Sequence, residues 1–94
     1  MSIKSFRHKR LQRLFEQGDA RGVPPGQKEK LLDVLAALDT AEAPSEVGLF
    51  PGWHLHLLKG RLKGFWSITI SGNWRVVFRF DQGDAWDVDF IDYH

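Results

Sequence analysis

FWSITISGNWRVVFRFDQGDAWDVDFID, residues 65–92, reads as three consecutive strands joined by two tight turns. Trp66, Ile68 and Ile70 alternate with smaller or polar residues, the period of a strand buried on one side. SGN (71–73) predicts a tight turn. Beyond it, Trp74, Val76, Phe78 and Phe80 point one way, and Asn73, Arg75, Val77 and Arg79 the other. DQGD (81–84) is a second hairpin signal. The last strand then sets Trp86, Val88 and Phe90 on the apolar face. Upstream, WHLHLL (53–58) predicts one more strand, with Trp53, Leu55 and Leu57 on one face and His54 and His56 on the other. Strands joined by such short turns make an antiparallel meander. A sheet of this size needs a second layer over its apolar face.

That layer is expected from the first half of the chain. FRHKRLQRLFE (6–16) places Phe6, Leu11, Leu14 and Phe15 on one side at helical spacing, with Ser5 as N-cap and Gly18 as stop. In PPGQKEKLLDVLAALDT, a proline suits the first turn, and Leu31, Leu32, Val34, Leu35 and Leu38 form the apolar stripe. AEAPSEVGLFPG (41–52) reads as a linker within the fold. The expected class is α+β: two N-terminal helices packed on one face of a small antiparallel sheet, in one domain spanning 1–94.

Composition narrows the function classes. With 94 residues there is room for one core, and a 43% apolar fraction with four Trp and seven Phe fills it. No Cys is present, so disulfides and thiolate zinc sites are excluded. No apolar run reaches the roughly 18–20 residues of a membrane span, and the N-terminus lacks a signal-peptide h-region, so a cytoplasmic protein without membrane contact is expected. The net charge of +1 conceals blocks of +5 (1–30), −4 (31–50), +5 (51–80) and −5 (81–94). Such blocks either pair with one another in the fold or attract phosphate.

The sheet face opposite the helices is where chemistry is expected. It offers His54 and His56 from one strand and Arg75 and Arg79 from another, with Lys59, Arg61 and Lys63 in the intervening loop. Asp92, Tyr93 and His94 join them if the last strand pairs beside Arg75. Two imidazoles about 6.6 Å apart can hold a metal, but no third ligand has suitable spacing; no metal or cofactor is expected. Asp84, Asp87 and Asp89 read as a solvated or salt-bridging face, and the tryptophans as core. Metal-free RNA cleavage requires a base for the 2′-hydroxyl, cations for the phosphorane and an acid for the leaving 5′-oxygen. Imidazole suits both proton roles, and arginine offers phosphate a permanent planar charge.

The segments IKSFRHKRLQRLFE, GWHLHLLKGRLKGFWSITISGNWRVVFRF and WDVDFIDYH resemble the HigB-type toxins of the RelE/ParE superfamily over essentially the whole chain. The strongest words are LxxLKG, WSI-x-I-x-x-NWR and the final DYH. The resemblance implies a RelE-like fold and a ribosome-dependent endoribonuclease that cuts mRNA in the decoding site. It also implies a helix-turn-helix antitoxin of the HigA type, with operator DNA bound only through that antitoxin. By motif position, Arg75 and Lys59 would hold the scissile phosphate, His56 and His94 would share the proton transfers, Tyr93 would orient a base, and Asp92 would set an imidazole or contact RNA. His54, Arg61, Lys63 and Arg79 would add phosphate contacts. A one-residue register slip in the last strand would send its closing residues to the wrong face. Two positions depart from many relatives: Leu57 replaces Pro, and His54 replaces a basic residue. The superfamily also holds toxins that bind DNA gyrase without cleaving RNA, and a catalytically inactive operon-regulatory module is a third possibility.

Overall fold

The computed structural model describes residues 1–93. Two helices, α1 (Lys9–Gln17) and α2 (Lys28–Thr40), are followed by a single-turn helix α3 (Pro44–Val47). The chain then enters a four-stranded antiparallel sheet of β1 (His56–Leu57), β2 (Phe65–Ser71), β3 (Trp74–Asp81) and β4 (Asp84–Asp92), in the order β1-β2-β3-β4. The α+β meander expected from residues 53–92 is therefore the observed one.

The helical layer buries Leu11 and Leu14 of α1 and Leu31, Val34, Leu35 and Leu38 of α2 against Ile68, Ile70, Val76, Phe78, Val88 and Phe90 of the sheet. Each of these leucines is fully buried, and such burial contributes about 1.5–3 kcal/mol per side chain. Gly18 ends α1 in the left-handed region (φ 69°), its N–H donating to the Leu14 carbonyl at 3.0 Å.

The start of α1 differs from expectation. The cap is His8, whose Nδ1 accepts from the Leu11 N–H at 3.0 Å, and the helix begins at Lys9. Ser5 and Phe6 instead belong to an extended segment running parallel to β4, with bridges Ile3↔Ala85 and Phe6↔Val88. Backbone pairing takes precedence because the β4 edge offers unpaired groups: Lys4 N–H donates to Ala85 O (2.8 Å), and Arg7 N–H to Val88 O (2.9 Å). Carboxylates complete the tether. Asp84 Oδ1 accepts from Ser2 N–H at 2.9 Å, and Asp39 Oδ1 from Ile3 N–H at 3.1 Å.

A bulge explains a second difference. Val77 pairs with Asp89 and Arg79 with Trp86, so Asp87 and Val88 together oppose Phe78. Asp87 takes φ 54°, and the extra residue changes the phase of the strand. Ala85, Val88 and Phe90 consequently face the core, while Trp86 falls outside it and donates its indole N–H to the Asp81 carbonyl at 3.0 Å. Simple alternation had placed Trp86 in the core. Phe80, also expected inward, is 37% exposed where β3 runs into the β3–β4 turn.

The stretch expected as a six-residue strand pairs in ladder form at His56 and Leu57 alone, His56 opposite Ser67 and Leu57 opposite Trp66. His54 adopts φ 48°, which interrupts the extended conformation. Backbone bonds still fix the segment to β2 on either side, from Thr69 N–H to Trp53 O and from Leu58 N–H to Phe65 O, both 2.8 Å. Trp53 is buried and Leu55 packs on the core as expected, but Leu57 is 48% exposed on the edge strand. The supposed linker 41–52 contains α3, where Pro44 occupies the first turn and Glu46 accepts from the Glu42 and Ala43 N–H groups at 2.6 and 3.2 Å.

Candidate functional site

The sheet face away from the helices is not wholly polar. Val77, one of the outward residues of β3, is buried with Phe65 and Leu58, and Leu62 and Ile91 pack against them. This second, smaller core seats the loop after β1, including the turn Gly60–Leu62, on the sheet. Seating that loop fixes where its cations stand. The sequence had placed Val77 on the face expected to carry the chemistry, and its burial with Leu58 and Phe65 removes it from the accessible surface.

On one side of the apolar seat is a recess of about 210 Å³ lined by His54, His56, Ser67, Thr69, Arg75 and Tyr93, with Leu58 as its apolar border. Strand register explains the grouping. His56 lies opposite Ser67, and Thr69 opposite Arg75, so one imidazole and one guanidinium flank two hydroxyl side chains of the same strand. Tyr93 arrives because Trp74 pairs with Asp92 and the Tyr93 N–H donates to the Asn73 carbonyl at 2.7 Å. On the other side, Lys59, Arg61, Asp92 and Tyr93 line a larger depression of about 670 Å³. Tyr93, 40% exposed, borders both.

Arg75 is positioned by neutral acceptors. Its Nη1 donates to the carbonyls of Gly72 (2.6 Å) and Trp74 (3.2 Å), both in or beside the β2–β3 turn. Carbonyl oxygens orient a guanidinium without neutralising it, and its remaining N–H groups suit a phosphate. Arg79 differs. Its Nε donates to Asp87 Oδ2 at 2.8 Å, so its charge is committed to the β4 bulge. Asp87 is held below the ordinary carboxylate range, chiefly by that hydrogen bond and against a smaller opposing effect of desolvation.

Most of the residues singled out in the sequence are thus brought together. His54, His56, Arg75 and Tyr93 share one recess, and Lys59, Arg61 and Asp92 the adjoining one. Lys63 and Arg79 line neither recess. His94 lies outside the described residues. Ser67 and Thr69 were missed, although the alternation in FWSITIS already put them opposite Trp66, Ile68 and Ile70, on the histidine face. Ser67 is the buried polar side chain of the site, 3% exposed. Among the described residues, no three His, Asp or Glu side chains cluster as a metal site would require.

Two helices over one face of an antiparallel meander, with cations, imidazoles and a tyrosine collected on the other, is the arrangement of a RelE-like toxin. The chain matches the family described as RelE-like toxin of type II toxin–antitoxin system HigB over residues 4–94, and it belongs to that HigB-like toxin family. It is 46% identical over 92 residues to the Endoribonuclease HigB of Proteus vulgaris, covering 98% of this chain and 99% of the relative. It is also 31% identical over 90 residues to Toxin HigB-1 of Vibrio cholerae serotype O1, covering 95% and 94%.

Proposed function

We propose that this chain is the toxin of a type II toxin–antitoxin pair and acts as one catalytic domain, an endoribonuclease that cuts translated mRNA on the ribosome. The observation that carries the reading is the convergence of His56, Arg75 and Tyr93 on one recess beside Lys59, Arg61 and Asp92. The name of the Proteus relative, an endoribonuclease, supports the same chemistry.

The reaction is transesterification. A base takes the proton of the 2′-hydroxyl, whose oxygen attacks the adjacent phosphorus. The P–O5′ bond breaks, and an acid protonates the departing oxygen, leaving a 2′,3′-cyclic phosphate and a 5′-hydroxyl. His56 and His94 share the two proton transfers. Arg75 and Lys59 hold the phosphate and offset the charge that grows on its oxygens. Tyr93, standing between the recesses, stacks on or orients a base, and Asp92 orients an imidazole or contacts RNA. His54 and Arg61 add contacts to flanking phosphates. A recess of about 210 Å³ is too small to select an RNA strand unaided. The ribosome supplies the alignment, so that the toxin contributes only the reacting groups. The partner is a helix-turn-helix antitoxin of the HigA type, through which operator DNA is bound, and the setting is the cytoplasm. No helix among the described residues is long and apolar enough to cross a membrane.

Primer extension on a translated reporter message, with translation on and off, tests the reading. New 5′ ends should appear with the parent chain only under translation, and be lost in His56→Gln. Growth arrest without cuts, or arrest undiminished in His56→Gln, would favour the gyrase-binding alternative and overturn the nuclease.

A further inference from the structure

The helical side of the molecule carries an apolar surface that the catalytic proposal leaves unused. Leu49 is 81% exposed and Phe50 46% exposed, side by side after α3. Phe50 is not a loose side chain: its ring stacks on the buried Trp53 at 4.2 Å between centroids and 15° between planes. Two recesses open on its flanks. One, of about 380 Å³, is lined by Ala37, Ala41, Leu49 and Phe50; the other, of about 550 Å³, includes Ala37, Phe50 and Trp53. Both have α2 as their common wall, and Thr40 lines both. The small side chains of α2 here allow close approach by another backbone.

The surrounding stretch of chain is acidic, apart from the Met1 ammonium, which donates to the Ala41 carbonyl at the first recess. Residues 31–50 hold four carboxylates and no Lys or Arg. Asp39 is engaged by the Ile3 N–H and Glu46 caps α3, whereas Asp33 and Glu42 are exposed. An apolar groove with a negative rim selects against RNA, against anionic lipid and against any acidic protein surface. It suits an amphipathic helix with Lys or Arg along its edges.

We propose that this groove is the docking site of the antitoxin, which inserts two bulky apolar side chains spaced one helical turn apart, one on each side of Phe50, with basic residues facing Asp33 and Glu42. Such side chains at i and i+3 or i+4 project from the same helix face, and two recesses that share Ala37, Thr40 and Phe50 offer one seat for each. The groove lies on the helical side of the fold, and the recess of His56 and Arg75 lies on the opposite face of the sheet. The inference rests on the antitoxin part of the proposed function and not on the nuclease part.

The test is titration of the purified antitoxin encoded beside this chain into the parent and into Leu49→Asp, Ala37→Arg and Glu42→Lys, with thermal melts of each. Leu49 is so exposed that its variant keeps the fold. Binding should weaken at least ten-fold for Leu49→Asp and Ala37→Arg. For Glu42→Lys the loss should be smaller and should fade at high salt. Unchanged affinity of folded Leu49→Asp and Ala37→Arg would overturn the assignment. So would a concentration-dependent dimer of the parent that Leu49→Asp abolishes while antitoxin binding persists, because the occupant would then be a second copy. A parent chain that fails to bind the antitoxin at all would overturn the partner reading as well, whereas loss of the nuclease reading leaves the binding result intact.

Discussion

Replacing Asp87 by Asn removes one charge at the point where the N-terminal segment, β3 and β4 meet. Asn tolerates positive φ, so the bulge at φ 54° survives, as does the 2.8 Å bond from the residue 87 N–H to Ser5 Oγ. What is lost is the ionic partner of Arg79 at 2.8 Å, together with the favourable field of Arg7. Both side chains of the pair are partly open to water, 40% for Arg79 and 29% for Asp87. Solvent screening therefore holds the loss to about 0.5–1 kcal/mol, the upper half of the range for exposed pairs. In a domain of this size that lowers the melting temperature by about 2–8 °C. The pH dependence follows from the direction of the shift. Asp87 titrates below its ordinary value when folded. Its contribution is complete above the unfolded value of about 3.9 and is lost as pH falls through the lower folded value. Thermal melts of parent and Asp87→Asn should therefore be separated at neutral pH and converge in strong acid. An Arg79→Ala partner variant closes a double-mutant cycle. Coincident melts at neutral pH, or a gap that persists unchanged below the folded value, would refute the account.

Other predictions test different parts of the molecule. His8→Ala removes the acceptor for the Leu11 N–H and should cost about 1 kcal/mol in urea unfolding, while His8→Asn, which can also cap, should cost less. In the β3–β4 turn, Gln82 and Gly83 both have positive φ, 50° and 82°, the conformation that favours Asn-Gly. Gln82→Asn should thus raise stability by about 0.5 kcal/mol, read as a higher denaturation midpoint. Arg75→Lys keeps the charge but loses the planar fork anchored on Gly72 and Trp74. Ribosome-programmed cleavage should fall by about 10²-fold with the melting temperature nearly unchanged, and equal cleavage would show that charge alone suffices.

Periodicity made much of this protein legible. The apolar alternation of residues 65–80, the turn residues Gly72 and Gly83, and the leucine spacing of α2 each reflect a local preference that agrees with the final fold. A side chain's face is determined by backbone period as long as the strand or helix is regular. For the same reason His56, Arg75 and Tyr93 could be placed on a common face from the chain alone, and Ser67 and Thr69 could have been. Three features obeyed long-range competition instead. Ser5 had local cap chemistry, but the open edge of β4 offered residues 2–7 a backbone ladder that a helix start could not match. Trp86 had the right parity for the core until one added residue at Asp87 reset the phase of its strand. Val77 and Arg79 sat on the face expected to bind phosphate, yet one was buried under Leu58 and the other drawn to Asp87. In each case the partner that decided the outcome lies far along the chain or across a strand, and its presence depends on register. Local periodicity set which residues alternate, and assembly of the sheet set where that alternation breaks, because unpaired backbone at a strand edge costs more than a local cap or parity preference is worth.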